Sequence, residues 1–274
     1  MRHTQTAFFY FFSILLSMNI FANIEMLKLD PGFKISIFAS DLDQPRQMIE
    51  SKNGTIFVGE RSGQIIALLD SDGNGQADSK RVIADDLTYS TGVSIFEGDL
   101  YFSEIGKIWK IQDIENWLQK NSSGFPEKIL VTQDLPEDKW HGWKWLQHNV
   151  DGDIYTNVGA PCNNCISENP QYASIIRLSD DNWEYVARGV RNSVGFDFHP
   201  ETNKLYFGDN GRDWLGDNSP ACELNRVDED GLFYGFPYQH ALNVKDPEYG
   251  DLKSGYDYVD PILELGAHVA PTGL

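Results

Sequence analysis

The sequence predicts an all-β fold of the propeller type, on three observations. Short runs of β-branched and aromatic residues are separated by Gly, Asn and Asp along the 274-residue chain, as hairpin turns require. A turn followed by an apolar strand recurs at Asn53-Gly54, Glu97-Gly98, Asp151-Gly152 and Thr202-Asn203, in steps of 44, 54 and 51 residues. Long amphipathic helical patterns are nearly absent. Four-stranded units repeating at roughly 40–50 residues are the mark of a β-propeller. A large sandwich or up-and-down barrel with coincidental spacing is the alternative.

Taken in order, the strand-forming runs are Thr55-Ile56-Phe57-Val58 and Gln64 to Leu69, then Gly92 to Phe96, Leu100-Tyr101-Phe102 and Ile108 to Ile111. Asp153 to Asn157, Ser174 to Leu178, Val194 to Phe198 and Lys204 to Phe207 follow. Each unit has the same sense: a strand, a turn, a second strand, then a third ending in a charged residue. The best helical pattern, Asp113 to Lys120, reads as a short connector. Loops from the central ends of the strands would converge on one face, where a site would sit.

The chain carries 41 Asp+Glu against 22 Lys+Arg, a formal net charge of −19, with 41% hydrophobic residues. The apolar content supports a packed core and argues against disorder. The charge argues against tracking nucleic-acid phosphates, which takes clustered Lys/Arg, and against docking on anionic lipid. Arg2 and His3 precede an uncharged apolar run from Ala7 to Ala22. That run is short for a membrane span of about 20 residues, so residues 1–22 read as a secretory signal peptide, with a retained anchor as the alternative. Residues 23–274 are then a soluble partial propeller, periplasmic or secreted, with no stable membrane insertion after cleavage. Export makes disulfides possible. Cys162 and Cys165 are spaced CxxC, readable as a structural staple or as two free thiols, and Cys222 is left over.

Several stretches carry chemistry. Asp70, Asp72, Asn74 and Asp78 stand at alternate positions of a Gly-rich loop, as in the first nine positions of a Ca²⁺ loop. Arg81 takes the twelfth place, so this is not an EF-hand; a structural Ca²⁺ site and a plain hairpin turn both fit. His141, between Trp140 and Trp143, reads either as a buried, satisfied ring or as a general base. In Arg188-Gly189-Val190-Arg191-Asn192-Ser193, two guanidinium groups and an amide could clamp a carboxylate or quinone oxygen, or bridge neighbouring blades. The loop from Asp209 to Asp217, leading to Glu223-Leu224-Asn225, is rich in oxygen ligands. No GxGxxG after a strand, P-loop, GxSxG or HExxH is present.

In order, Asp43-Gln44-Pro45-Arg46, Gly59-Glu60-Arg61-Ser62-Gly63, the His141 segment, Arg191-Asn192-Ser193-Val194-Gly195-Phe196, Asp209-Asn210-Gly211-Arg212, Glu223-Leu224-Asn225 and Tyr234-Gly235-Phe236-Pro237 resemble the soluble PQQ-dependent glucose/sorbosone and aldose sugar dehydrogenases. The resemblance runs over about residues 30–274. It implies a six-bladed propeller, here incomplete with about four to five blades, binding pyrroloquinoline quinone (PQQ) on Ca²⁺. It further implies His141 as general base, Arg191 and Asn192 as quinone contacts, and the main-chain carbonyls of Gly211 and Arg212 as ligands of the cofactor Ca²⁺. Cys222 stands where the family usually has an acidic residue. The family continues beyond the segment matching Ala270 to Leu274, and that continuation supplies basic residues that clamp the cofactor.

The expectation is therefore an exported quinoprotein dehydrogenase that oxidises a small-molecule aldose or sugar aldehyde and passes electrons to an acceptor the sequence does not identify. Two other readings stand beside it. One is a non-catalytic Ca²⁺- or sugar-binding remnant. The other is a Ca²⁺-dependent lactonase, which would need a carboxylate-lined metal centre for which the sequence offers no convincing set.

Overall fold

A computed structural model describes residues 24–120, 123–252 and 257–274; the expected signal peptide lies outside them. The chain divides into two units, Met1–Phe38 and Ala39–Leu274. In the first, the described residues carry one 3-10 turn, Ile24–Met26. The second unit holds the blades.

Four antiparallel sheets follow one another along the second unit. Blade 1 is β1 (Pro45–Glu50), β2 (Ile56–Glu60), β3 (Gln64–Leu69) and β4 (Ser79–Ala84) in that spatial order. Blade 2 is β5 (Val93–Phe96), β6 (Asp99–Ser103), β7 (Ile108–Ile111) and β8 (Ile129–Thr132), with the helix α1 (Ile114–Gln119) between its last two strands. Blade 3 is β9 (Leu146–His148), β10 (Ile154–Val158), β11 (Ser174–Ser179) and β12 (Asn182–Arg188). Blade 4 is β13 (Phe196–Phe198), β14 (Leu205–Asp209) and β15 (Ala221–Arg226), closed by a strand from much later in the chain. Between β15 and that closing strand come three two-residue strands: β16 (Leu232–Phe233), β17 (Gln239–His240) and β18 (Val244–Lys245). β16 adds to blade 3, parallel to β12, and β17 pairs with β18. The closing strand, β19 (Leu263–Ala267), pairs antiparallel with β15. About four blades are thus present, within the expected range of four to five.

The second strands of blades 1 and 3 are buried along nearly their whole length on both faces. This explains why β2 (IFVGE) and β10 (IYTNV) read as near-continuous runs and not as alternating ones. The core consists of the contacts between blades. Phe57 and Ile65 of blade 1 pack with Val93, Leu100 and Phe102 of blade 2, and Ile114 and Leu118 of α1 complete that cluster. Ile108 of blade 2 meets Leu146, Ile154 and Ile176 of blade 3. Tyr155 and Ile175 of blade 3 meet Phe196 and Phe207 of blade 4.

Polar groups tie the inner strands together. The buried Gln47 side chain of β1 donates to Leu146 O (2.7 Å) and accepts from Leu146 N (2.9 Å) and Val93 N (3.1 Å), so one amide joins blades 1, 2 and 3. Thr91 Oγ1 donates to Lys144 O and accepts from Lys144 N across blades 2 and 3.

Candidate functional site

The segments leading into the inner strands bring distant residues together. His141 precedes β9, Arg191 and Asn192 precede β13, and Gly211 follows β14. All four line one cleft, together with Asn210, Asp213, Cys222 and His268. Sequence reasoning had singled out the first four, and the fold places them in one depression of about 250 Å³.

His141 occupies a left-handed backbone conformation (φ 50°), a strained setting for a residue with a Cβ. Its Nδ1 lies 2.8 Å from Ala160 O. A carbonyl only accepts, so Nδ1 carries the proton and the Nε2 lone pair is free to act as a base. Burial, with Arg191 nearby, lowers the imidazole to about 4, so the ring is neutral at physiological pH. The close approach depends on Gly159: a Cβ there would lie 2.5 Å from His141 Cβ and 2.8 Å from His141 O.

Arg191 is buried and heavily committed. Nε donates to Asn163 O (2.8 Å), Nη1 to Asn210 O (3.0 Å) and Nη2 to Asn163 Oδ1 (2.8 Å), with Asp213 Oδ2 3.5 Å from Nη2. Asn192 is different: its Oδ1 is buried and has no hydrogen-bond partner. An orphaned buried acceptor is costly, and this one belongs to a residue that lines the cleft. The turn carrying both residues is held by Asp209, which accepts from Arg191 N (2.8 Å) and Asn192 N (2.7 Å). Arg188, in contrast, serves the scaffold, donating to Gly231 O from Nε and Nη2.

Gly211 lines the cleft and packs closely on the next strand, where an added Cβ would meet Ala221 O at 2.9 Å. Arg212 is drawn into the protein. Nη1 meets Asp246 Oδ2 at 2.5 Å, and the same oxygen lies 2.8 Å from His240 Nε2. Burial opposes the Asp246 charge, yet His240, the Tyr249 and Glu248 N–H groups and Arg212 hold its carboxyl well below the usual range.

Several contributors were not singled out by residue in the sequence. Asn163, inside the CxxC loop, orients Arg191 and accepts from Asp213 N (2.8 Å). The loop itself is closed by a Cys162–Cys165 disulfide, which settles the staple reading. Asp209 and Glu223 are cross-strand partners on β14 and β15. Burial raises Asp209 to about 6 against the N–H groups of Asn192 and Arg191. Burial and the Asp209 charge push Glu223 up to about 8, so the pair retains a proton at neutral pH. Glu223 also accepts from Ala241 N (2.7 Å) and Asn225 Nδ2 (2.9 Å). Buried Cys222 is a free thiol at the edge of the cleft.

The loop between β3 and β4 gathers one carboxylate oxygen each from Asp70, Asp72 and Asp78 within 4.8 Å of one another. Asn74 turns inward: its Oδ1 accepts from Gln76 N (2.9 Å) and its Nδ2 donates to Asp72 Oδ2 (3.0 Å). The three carboxylates among the expected ligands therefore converge, and the Asn74 side chain lies against Asp72.

A four-bladed arc of propeller, with a His–Arg–Asn cleft where the inner strands begin, defines the class of the molecule. A family model described as "Domain of unknown function (DUF7133)" matches residues 22–216, and the chain belongs to that family. It is 32% identical over 259 residues to an uncharacterized protein of Borreliella burgdorferi, matching 90% of this chain and 66% of that one. The chain thus spans just under two thirds of that relative's length. Among solved structures, it superposes on the PQQ domain of pyranose dehydrogenase from Coprinopsis cinerea with a TM-score of 0.73 at 17% identity, covering 90% of this chain and 71% of that one. The calcium structure of a Trichoderma reesei carbohydrate-active enzyme of family AA12 gives 0.69 at 18% identity, covering 86% and 71%. The PQQ-bound aldose sugar dehydrogenase of Streptomyces coelicolor gives 0.63 at 16% identity, covering 87% and 73%. At these identities the likeness is one of fold. Among the described residues, no helix is long and apolar enough to cross a membrane.

Proposed function

We propose that this chain belongs to an exported quinone-dependent sugar oxidoreductase, oxidising an aldose or sugar aldehyde with PQQ and Ca²⁺. The observation that carries the reading is the convergence of His141, Arg191, Asn192 and Gly211 on one cleft, in a fold shared with PQQ-dependent sugar dehydrogenases. The donor set suits the head of a quinone cofactor. Arg191 uses three of its five guanidinium N–H groups on Asn163 and Asn210, and the orphaned Asn192 Oδ1 awaits a donor. The carbonyls of Gly211 and Arg212 would hold the cofactor Ca²⁺.

When bound, PQQ would accept a hydride, and with it two electrons, from the sugar carbon, and the cation would withdraw charge from its carbonyl. The chain's own residues would do the rest. Neutral His141, with Nδ1–H on Ala160 O, would take the hydroxyl proton at Nε2. Arg191, fixed by Asn163 and Asn210, would stabilise negative charge on the facing oxygen. Asp209 would keep the Arg191-Asn192 turn in register. A second Ca²⁺, purely structural, is proposed for the Asp70, Asp72 and Asp78 cluster, with Asn74 supporting its loop.

The test is to titrate PQQ into the protein with Ca²⁺ by calorimetry, then assay dye reduction with a panel of aldoses. Micromolar or tighter binding with His141-dependent turnover is the expected result. Absence of PQQ binding would reject the reading in favour of a non-catalytic propeller.

A further inference from the structure

A second cavity, of about 200 Å³, sits among the starts of the inner strands, beside the cleft but separate in its lining. Arg46, Trp143, Lys144, Trp145 and Val194 contribute to its walls. Lys144 is buried, only 3% exposed, and its ammonium makes one hydrogen bond among the described residues, from Nζ to Gly142 O (2.9 Å). An ammonium has three donors, and a buried one normally has a carboxylate partner. Lys144 has none among the described residues. The indole N–H of Trp145 is likewise buried without an acceptor.

Arg46, which lines the cavity, and Arg61, which lies outside its lining, both approach Trp143. The guanidinium of Arg46 lies 4.3 Å from the Trp143 ring centroid and that of Arg61 lies 5.1 Å from it. Neither forms an ion pair among the described residues; Arg46 Nη1 donates to Pro45 O and Arg61 Nη2 to the Tyr89 hydroxyl. In a chain with 41 acidic residues against 22 Lys+Arg, two cations on the wall of one cavity, Lys144 and Arg46, without a carboxylate partner among the described residues are contrary to expectation. No acidic residue lines the cavity. The walls thus combine cations and an orphaned donor with the apolar surfaces of Trp143, Trp145 and Val194. Removing Lys144 from water also lowers it to about 7, consistent with a charge that lacks its counter-ion.

We propose that this cavity is a binding site for a small organic carboxylate, its anionic head held by Lys144, the Trp145 indole N–H and Arg46, and its apolar body packed between the two tryptophans. The inference does not depend on the redox reading of the adjacent cleft.

Benzoate is a suitable probe, with benzamide as its uncharged counterpart, followed by calorimetry and tryptophan fluorescence on the whole chain. Saturable benzoate binding is expected, with benzamide weaker by at least about tenfold, the worth of one charge-assisted contact. Lys144→Met should weaken benzoate by a similar factor of about ten without lowering the thermal midpoint, since it removes an unpaired buried charge. Should Lys144→Met fail to fold, the Arg46→Gln variant of the cavity wall is expected to weaken benzoate by at least about threefold. The proposal is overturned if millimolar benzoate does not saturate the protein, if benzamide binds equally well, or if the soluble variants bind benzoate unchanged. Full displacement of benzoate by PQQ would assign the anion to the cofactor's own carboxylates and overturn a separate site; simultaneous binding supports one.

Discussion

On the proposed reading, His141 is the base, and its surroundings suit proton abstraction. Its Nδ1–H is committed to Ala160 O, and burial keeps it neutral down to a pKa of about 4. Replacing it with Ala should lower sugar oxidation by roughly 10²–10⁴-fold, the usual contribution of a general base. The pH profile of kcat/KM should be flat from neutrality down to about 5 and fall only as the ring protonates near 4; an acidic limb at the ordinary histidine value of about 6.5 would contradict the assignment. Glu223 makes the opposite kind of statement. Its folded-state value is raised from 4.5 to about 8, so its contribution to stability is fully present below 4.5 and is lost as pH rises through 8. Glu223→Gln cannot ionise. Wild type is therefore expected to lose unfolding free energy relative to this variant between pH 5 and 8, measurable by urea titration at several pH values.

At the level of elements, the site depends on close backbone approaches. Gly159, just past the end of β10, leaves room for the His141 backbone. Gly159→Ala is expected to reduce activity by about 10²-fold through displacement of the ring, with the chain still folded by circular dichroism. The β3–β4 hairpin makes its own prediction. If Ca²⁺ joins Asp70, Asp72 and Asp78, saturating Ca²⁺ at about 100 times Kd should add about 2.7 kcal/mol. EDTA or Asp72→Asn should remove that gain in thermal unfolding; an unchanged midpoint in all three conditions would leave the loop as a plain turn. β3 was legible in the sequence because burial on both faces makes it a continuous apolar run, and β7, with buried isoleucines at both ends, also coincides with a run read from the sequence. The outer strands β4 (SKRVIA) and β12 (NWEYVAR) were not legible, since their partly exposed faces carry charge and polar groups. The Asp113 to Lys120 pattern does contain the short helix α1.

Over the whole molecule, cohesion rests on blade-to-blade contacts, and Gln47 is their polar counterpart near the inner strands. Gln47→Leu would strand Val93 N, Leu146 N and Leu146 O without that partner. At about 1–3 kcal/mol for each unsatisfied buried group, a loss of roughly 3 kcal/mol or more is expected, seen as a lower urea midpoint. The candidate site was legible as separate motifs, and the resemblance to sugar dehydrogenases supplied their grouping. Spacing alone did not place His141 beside Arg191, because fifty residues and most of a blade intervene. Nor did it reveal Asp246 and His240, whose role beneath Arg212 exists only after the excursion between β15 and β19 folds back.

That excursion sets an order of assembly. Blades 1 to 3 obtain their four antiparallel strands from consecutive stretches of chain, so each can close soon after its own residues leave the ribosome. Blade 4 must wait for Leu263–Ala267, after residues 227–262 have left one strand on blade 3 and returned. Loop closure over such a span is slow compared with a hairpin. The wall carrying Gly211 and Cys222 should therefore be the last part of the cleft to mature, and a nascent chain arrested before residue 263 would hold His141 in a finished blade facing an unfinished one.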